Sequence, residues 1–141
     1  METKFKYLPH TADAMFRSYG KGLNQAFENA ALAMYNIITE TKKIKPKKKK
    51  EIFVSAKRKE SLLYDFLEEF LFLLDTQGFL LNKIEKLSIE KYKGKYNLKA
   101  EAYGDHYKNY EVSGNIKSIT YNEMFIREKG DSVVIQAVVD L

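Results

Sequence analysis

The residues best placed to do chemistry are carboxylates that fall just past strand-like segments. Asp13 closes Pro9-His10-Thr11-Ala12-Asp13, and Asp140 follows Val133-Val134-Ile135-Gln136-Ala137-Val138-Val139, with Leu141 beyond it. If the strands that carry them are neighbours, Asp13, Asp140 and the terminal carboxylate or a nearby carbonyl at Leu141 form an oxygen cluster. Such a cluster repels itself until a cation neutralises it. Oxygen ligands suit hard divalent ions: calcium, which tolerates irregular geometry, with magnesium or manganese as the other choices. The competing reading is a solvent-exposed aspartate beside an ordinary strand end, with Pro9, Thr11 and Asp13 only shaping a tight turn. His10 in the same corner and Lys117 in Ile116-Lys117-Ser118-Ile119-Thr120-Tyr121 are candidate partner-facing residues. Lys117 and Thr120 fall on opposite faces of a regular strand, so direct cooperation between them is not expected.

Composition removes several other chemistries. There is no cysteine, which excludes disulfides, thiolate nucleophiles, iron-sulfur clusters and thiolate zinc sites. With only His10 and His106, a multi-histidine zinc site is disfavoured. Gly20 and Gly22 alone make neither a Walker nor a dinucleotide-binding loop, and no nucleophilic triad is visible. The net charge of +5 is local: Thr-Lys-Lys-Ile-Lys-Pro-Lys-Lys-Lys-Lys at 41–50 carries more positive charge than the whole excess. That run reads either as a solvated basic linker or as an RNA contact through the lysines between Lys42 and Lys50, and no aromatic interleaves it to stack on bases. No secretory signal is apparent. The most apolar window, residues 62–74, is too short to span a bilayer and is broken by Asp65, Glu68 and Glu69. A soluble, cytoplasmic protein is expected, folding as a single domain over residues 1–141 with a basic linker at 41–50.

The elements that must position these residues follow from periodicity. Residues 5–8 and 15–19 alternate as strands. Leu23, Phe27, Ala30, Ala31, Met34, Ile37 and Ile38 recur at helical spacing and predict an amphipathic helix over 23–38, with Gly22 as a weak cap. Residues 51–57 alternate again. A second helix is expected to begin with Ser61 as N-cap, to bury a wide stripe from Leu62 to Leu74, and to end at Gly78 in the left-handed conformation. Beyond Gly78 the period becomes two. Strands are expected at 84–91 and 96–102 around a turn at Gly94, then a polar loop at 104–114 containing His106. Two final strands, 116–127 and 132–140, are expected to be joined by a turn at Gly130. Two amphipathic helices packed on a largely antiparallel β-sheet make an α+β fold, with chemistry at the strand ends.

The order of motifs is more specific than any one of them. His10-Thr11-Ala12-Asp13, Tyr19-Gly20-Lys21, Gln25-Ala26-Phe27-Glu28-Asn29-Ala30-Ala31, Ser61-Leu62-Leu63-Tyr64-Asp65-Phe66-Leu67-Glu68-Glu69, Leu74-Asp75, Gly78-Phe79, Ile116-Lys117-Ser118-Ile119-Thr120-Tyr121 and the closing residues 136–140 together resemble the archease family, over essentially the whole chain. The resemblance implies a small α+β protein that is not itself an enzyme. It would assist an RtcB-type tRNA-splicing RNA ligase by promoting guanylylation of the ligase's active-site histidine, allowing multiple turnover and broadening the nucleotide accepted. It also implies a divalent ion, often calcium, held at Asp13, Asp140 and Leu141, with tRNA met through the ligase. Two positions depart from the family pattern. Asn122 stands where a histidine commonly follows the Lys-x-x-Thr-Tyr run, and Gly22 stands where a threonine usually caps the first helix.

Overall fold

The structure, a computed structural model, describes residues 3–10 and 13–141. Strand β1 (Phe5–Leu8) leads toward β2 (Asp13–Lys21), and helix α1 (Leu23–Tyr35) follows. Then come β3 (Lys48–Ala56), α2 (Lys59–Gln77), β4 (Phe79–Tyr92), β5 (Lys95–His106), β6 (Ser118–Lys129) and β7 (Ser132–Asp140). The strands form two antiparallel sheets, four strands in the order β1-β2-β7-β6 and three in the order β3-β5-β4. The expected α+β architecture is present, with two sheets where one was expected.

The helices are what hold the sheets together. α1 packs on β2 and β7 of the first sheet and on β4 of the second, while α2 packs on β3, β4 and β5 and also on β6. The apolar stripes make this possible: Phe27, Ala30, Ala31 and Met34 of α1 and Leu62, Leu63, Phe66, Leu67 and Phe70 of α2 are all buried in one core. Phe27 meets Phe66 in a tilted ring pair and Phe66 meets Phe70 edge to face, with centroids 5.7 and 5.1 Å apart. Tyr35 closes the helix with a buried hydroxyl 2.9 Å from the Phe79 carbonyl oxygen and 3.2 Å from that of Phe70, and burial raises its pKa strongly.

Several boundaries differ from the periodic reading. α1 stops at Tyr35, and Ile37 and Ile38 belong to the turn that follows, so their spacing reflects burial and not helix. α2 begins at Lys59 with Arg58 as its cap, because the Leu62 N–H donates to the Arg58 carbonyl; Ser61 lies inside the first turn. Gly78 does take the left-handed conformation, at φ 65° and ψ 26°. In the basic run, Thr41–Lys43 is a short 3-10 turn, and Lys48, Lys49 and Lys50 open β3 opposite Gly104, Tyr103 and Ala102. Lysine suits that position because β3 is a sheet edge, where charge discourages pairing with another chain.

β5 runs four residues past its expected end, through His106, and displaces the predicted polar loop. Gly104 allows this. A Cβ there would overlap the Leu80 carbonyl oxygen, so the missing side chain lets β4 and β5 stay paired at Leu81 and Gly104. The β4–β5 hairpin turns at Lys93 and Gly94, both at positive φ, and the β6–β7 hairpin turns at Gly130, at φ 62°.

Candidate functional site

The site is built at one end of the four-stranded sheet. β2 and β7 pair antiparallel from Asp13↔Asp140 through Lys21↔Ser132, so the first residue of β2 faces the last residue of β7. Directly opposed residues of an antiparallel pair hold their Cβ atoms roughly 5 Å apart on the same face. The two carboxylates predicted from strand ends are therefore brought together. On the other side of β7, Ser118 is the register partner of Asp140, and its hydroxyl donates to Asp140 Oδ2 at 2.7 Å. The Lys117 backbone N–H donates to the Asp140 carbonyl at 2.8 Å. Asp140 is thus fixed by β2 and β6 together, and Leu141, which follows it, is exposed.

His10 joins the same corner. Its Nδ1 lies 3.8 Å from Asp13 Oδ2, and its Nε2 is hydrogen-bonded to Glu123 Oε2 at 2.9 Å. Thr11 and Ala12, the middle of the motif that carries Asp13, lie outside the described residues. Glu123 reaches His10 because β6 is irregular here. Thr120 pairs with Val138 and Phe125 with Gln136, so residues 121–124 face a single residue of β7. Glu123 itself sits at φ 58°, a left-handed conformation that few side chains other than glycine adopt. The bulge is held from several sides. The Gln136 side-chain amide donates to the Glu123 carbonyl at 2.8 Å and accepts from Arg17 Nε at 2.9 Å. The Asn122 N–H donates to Thr120 Oγ1, and Tyr121 stacks on Tyr64 of α2 with centroids 4.4 Å apart.

Lys117 is exposed and lies just before β6, so its side chain does not belong to the strand face expected for it. It lines a groove of about 550 Å3 with Ser118 and with Asp65, Glu68, Glu69 and Asp75 of α2. Burial holds the Asp65 carboxyl above the usual carboxylate range. The lysine run is elsewhere and partly committed: Lys43 pairs with Glu40, Lys49 with both Glu51 and Glu101, and Lys50 bonds Gln77. His106 is distant in role as well as in sequence. As the cap of the 3-10 turn Tyr107–Asn109, its Nδ1 accepts the Lys108 N–H.

Donor chemistry at the tip fits a hard cation in kind, since Asp13 and Asp140 are both oxygen ligands. In number the side chains fall short: among the described residues, no group of three or more His, Cys, Asp and Glu side chains is gathered in a metal-binding cluster. A cation between Asp13 and Asp140 would need oxygens from Leu141, the backbone or a partner to complete its shell. Ser118 and Glu123 were missed from sequence. The polar pair Asn122-Glu123 after Tyr121 interrupts an alternating strand, and that interruption is the signal a bulge leaves.

Two antiparallel sheets bridged by two helices, with an acidic pair where the ends of β2 and β7 meet, define the structural class of this protein. The sequence model of the Archease protein family matches residues 5–141, and the chain belongs to that family. It is 39% identical over 140 residues to the protein archease of Methanosarcina barkeri, covering 98% of this chain and 96% of the relative. It is also 39% identical over 130 residues to that of Pyrococcus furiosus, covering 91% of each. The solution structure of Methanobacterium thermoautotrophicum protein 1598 superposes with a TM-score of 0.84 at 30% identity, covering 98% of this chain and 99% of the other. A crystal structure of an archease from Thermotoga maritima, described as a possible chaperone, matches at a TM-score of 0.55 and 19% identity over 96% of each chain, and speaks for the fold alone. Among the described residues, no helix is long and apolar enough to cross a membrane.

Proposed function

We propose that this protein is a non-catalytic activator of an RtcB-type tRNA-splicing RNA ligase, promoting ligase guanylylation and multiple turnover through a divalent cation, calcium in the first instance. The observation that carries the reading is the register pair Asp13↔Asp140, which places two carboxylates on one face at the tip of the sheet. Asp13, Asp140 and Leu141 would hold the ion. Bound there, it would supply a positive charge able to attract a phosphate or carboxylate of the partner. The chain's own part is to keep the acidic pair rigid, through Ser118 on Asp140 and through His10 beside Asp13. Lys117, exposed next to the pair, adds a cationic contact for an anionic group of the same partner. Action on tRNA would then be indirect, by way of the ligase. The lysine run supports a direct RNA contact less well, since Lys43, Lys49 and Lys50 already have partners within the chain.

The test is a single-turnover guanylylation assay of a cognate ligase with and without this protein, repeated with Asp13→Ala and Asp140→Ala. Stimulation by the wild type and its loss in both well-folded variants is expected. Stimulation that survives both substitutions would remove the acidic pair from the mechanism, and no stimulation by wild type with a competent ligase would remove the partner.

A further inference from the structure

We infer that Glu123 is a positioning residue of the site, with the bulge at 121–124 built to tether His10, and with it the start of β2, over the acidic pair. The inference rests on the cation reading above only for what the tether serves. Three observations point to it. Glu123 occupies the left-handed region, which a side chain as long as glutamate rarely does without a reason elsewhere in the structure. Its carbonyl is held by Gln136, which is buried and is itself bonded to Arg17, so the backbone of the bulge is fixed independently of the Glu123 side chain. The carboxylate that this backbone presents lands 2.9 Å from His10 Nε2, while the other ring nitrogen faces Asp13.

The consequence is a connection across the sheet. β6 is not a neighbour of β2, because β7 lies between them. Ser118 ties β6 to Asp140 from one side, and Glu123 reaches past β7 to His10 on the other. Both acidic residues are thereby referred to the same strand, β6, and their separation does not depend on the β2–β7 ladder alone. A bulge is a common way for a sheet to re-aim one side chain near a site. A hydrogen-bond acceptor, not a charge, is what the tether needs, so glutamine can replace glutamate and glycine cannot.

Glu123→Gly and Glu123→Gln separate these roles. Glycine accepts the backbone conformation and keeps the Gln136 contact, so Glu123→Gly is expected to melt no lower than wild type. Its amide hydrogen exchange at His10 and Asp13, measured without added cation, is expected to rise about fivefold or more, and its calcium affinity, by calorimetry, to fall about tenfold. Glu123→Gln is expected to stay within about threefold of wild type in both. Unchanged exchange in the glycine variant would overturn the tether, as would a glutamine variant that loses as much as glycine, or a glycine variant that melts far below wild type. If wild-type protein binds no calcium while exchange responds as expected, the tether stands and the cation reading fails.

Discussion

Asp13 and Asp140 are register partners across the β2–β7 ladder, so two carboxylates confront each other at the end of a central strand pair. Like charges directly opposite in a sheet destabilise it. Asp13→Asn removes that repulsion while keeping the shape. In buffer freed of divalent ions the variant is expected to melt slightly higher than wild type. On adding calcium, wild type should gain stability and the variant should not. Thermal unfolding of both proteins with and without calcium checks this, and a variant that melts lower in chelator would show that the pair is not under strain.

Asp105 gives the fold a pH-dependent contribution. The Tyr110 hydroxyl donates to its Oδ2 and the His106 N–H to its Oδ1, both at 2.8 Å, and these bonds hold its carboxyl below the usual carboxylate range. A depressed pKa stabilises the fold above the unfolded-state value, and that contribution is lost as pH falls through the folded-state value. Tyr110→Phe removes the larger cause. The variant's deficit in melting temperature is expected to be widest near neutral pH and to shrink as pH falls through the acidic range. Part of the neutral deficit persists at all pH values, because the same hydroxyl also accepts the Lys45 N–H. A deficit that stays constant from pH 7 to pH 3 would exclude the carboxylate.

Gly104 tests the packing of the second sheet. A methyl group there would run into the Leu80 carbonyl, which is backbone and has no room to rotate away. Gly104→Ala is expected to cost several kcal/mol, in the range reserved for overpacked sites. Gly114→Ala is a useful contrast: its added carbon would meet nothing within 4 Å, and only its positive φ would be penalised. Denaturant unfolding of the two variants should separate them clearly.

Asp140 is legible in the sequence because it follows a continuous apolar strand, and Asp13 because it stands in a polar corner between two strand-like segments; that Asp13 opens β2 and is the register partner of Asp140 comes from the sheet topology. Helix faces were equally plain, since burial imposes the same spacing on sequence and structure. What sequence could not convey was the division into two sheets, because alternation marks a strand without naming its neighbours. The start of α2 differs from its sequence signal because Ser61 has better capping chemistry than Arg58, yet the chain enters the helix earlier and leaves Arg58 without a side-chain cap. In sequence His106 reads as part of a loop, because Gly104 looks like a turn residue. Its actual purpose is close approach of two strands. Glu123 is hidden in the sequence for a related reason: a bulge breaks the pattern on which strand reading depends.

The placement of β7 between β2 and β6 also bears on how the protein is made. A ribosome releases β1, β2 and α1 long before residues 132–140 exist, so one long edge of β2 stays open until β7 emerges. The second sheet, with β3, β4 and β5 contiguous but for α2, can assemble while the chain is still growing. The first can close only when β7 slides into the central position, and that same event creates the acidic pair. Docking of β7 and creation of the site are one step, so a chain shortened before β7 lacks both the acidic pair and the Val133, Ile135, Ala137 and Val139 side chains that the core buries.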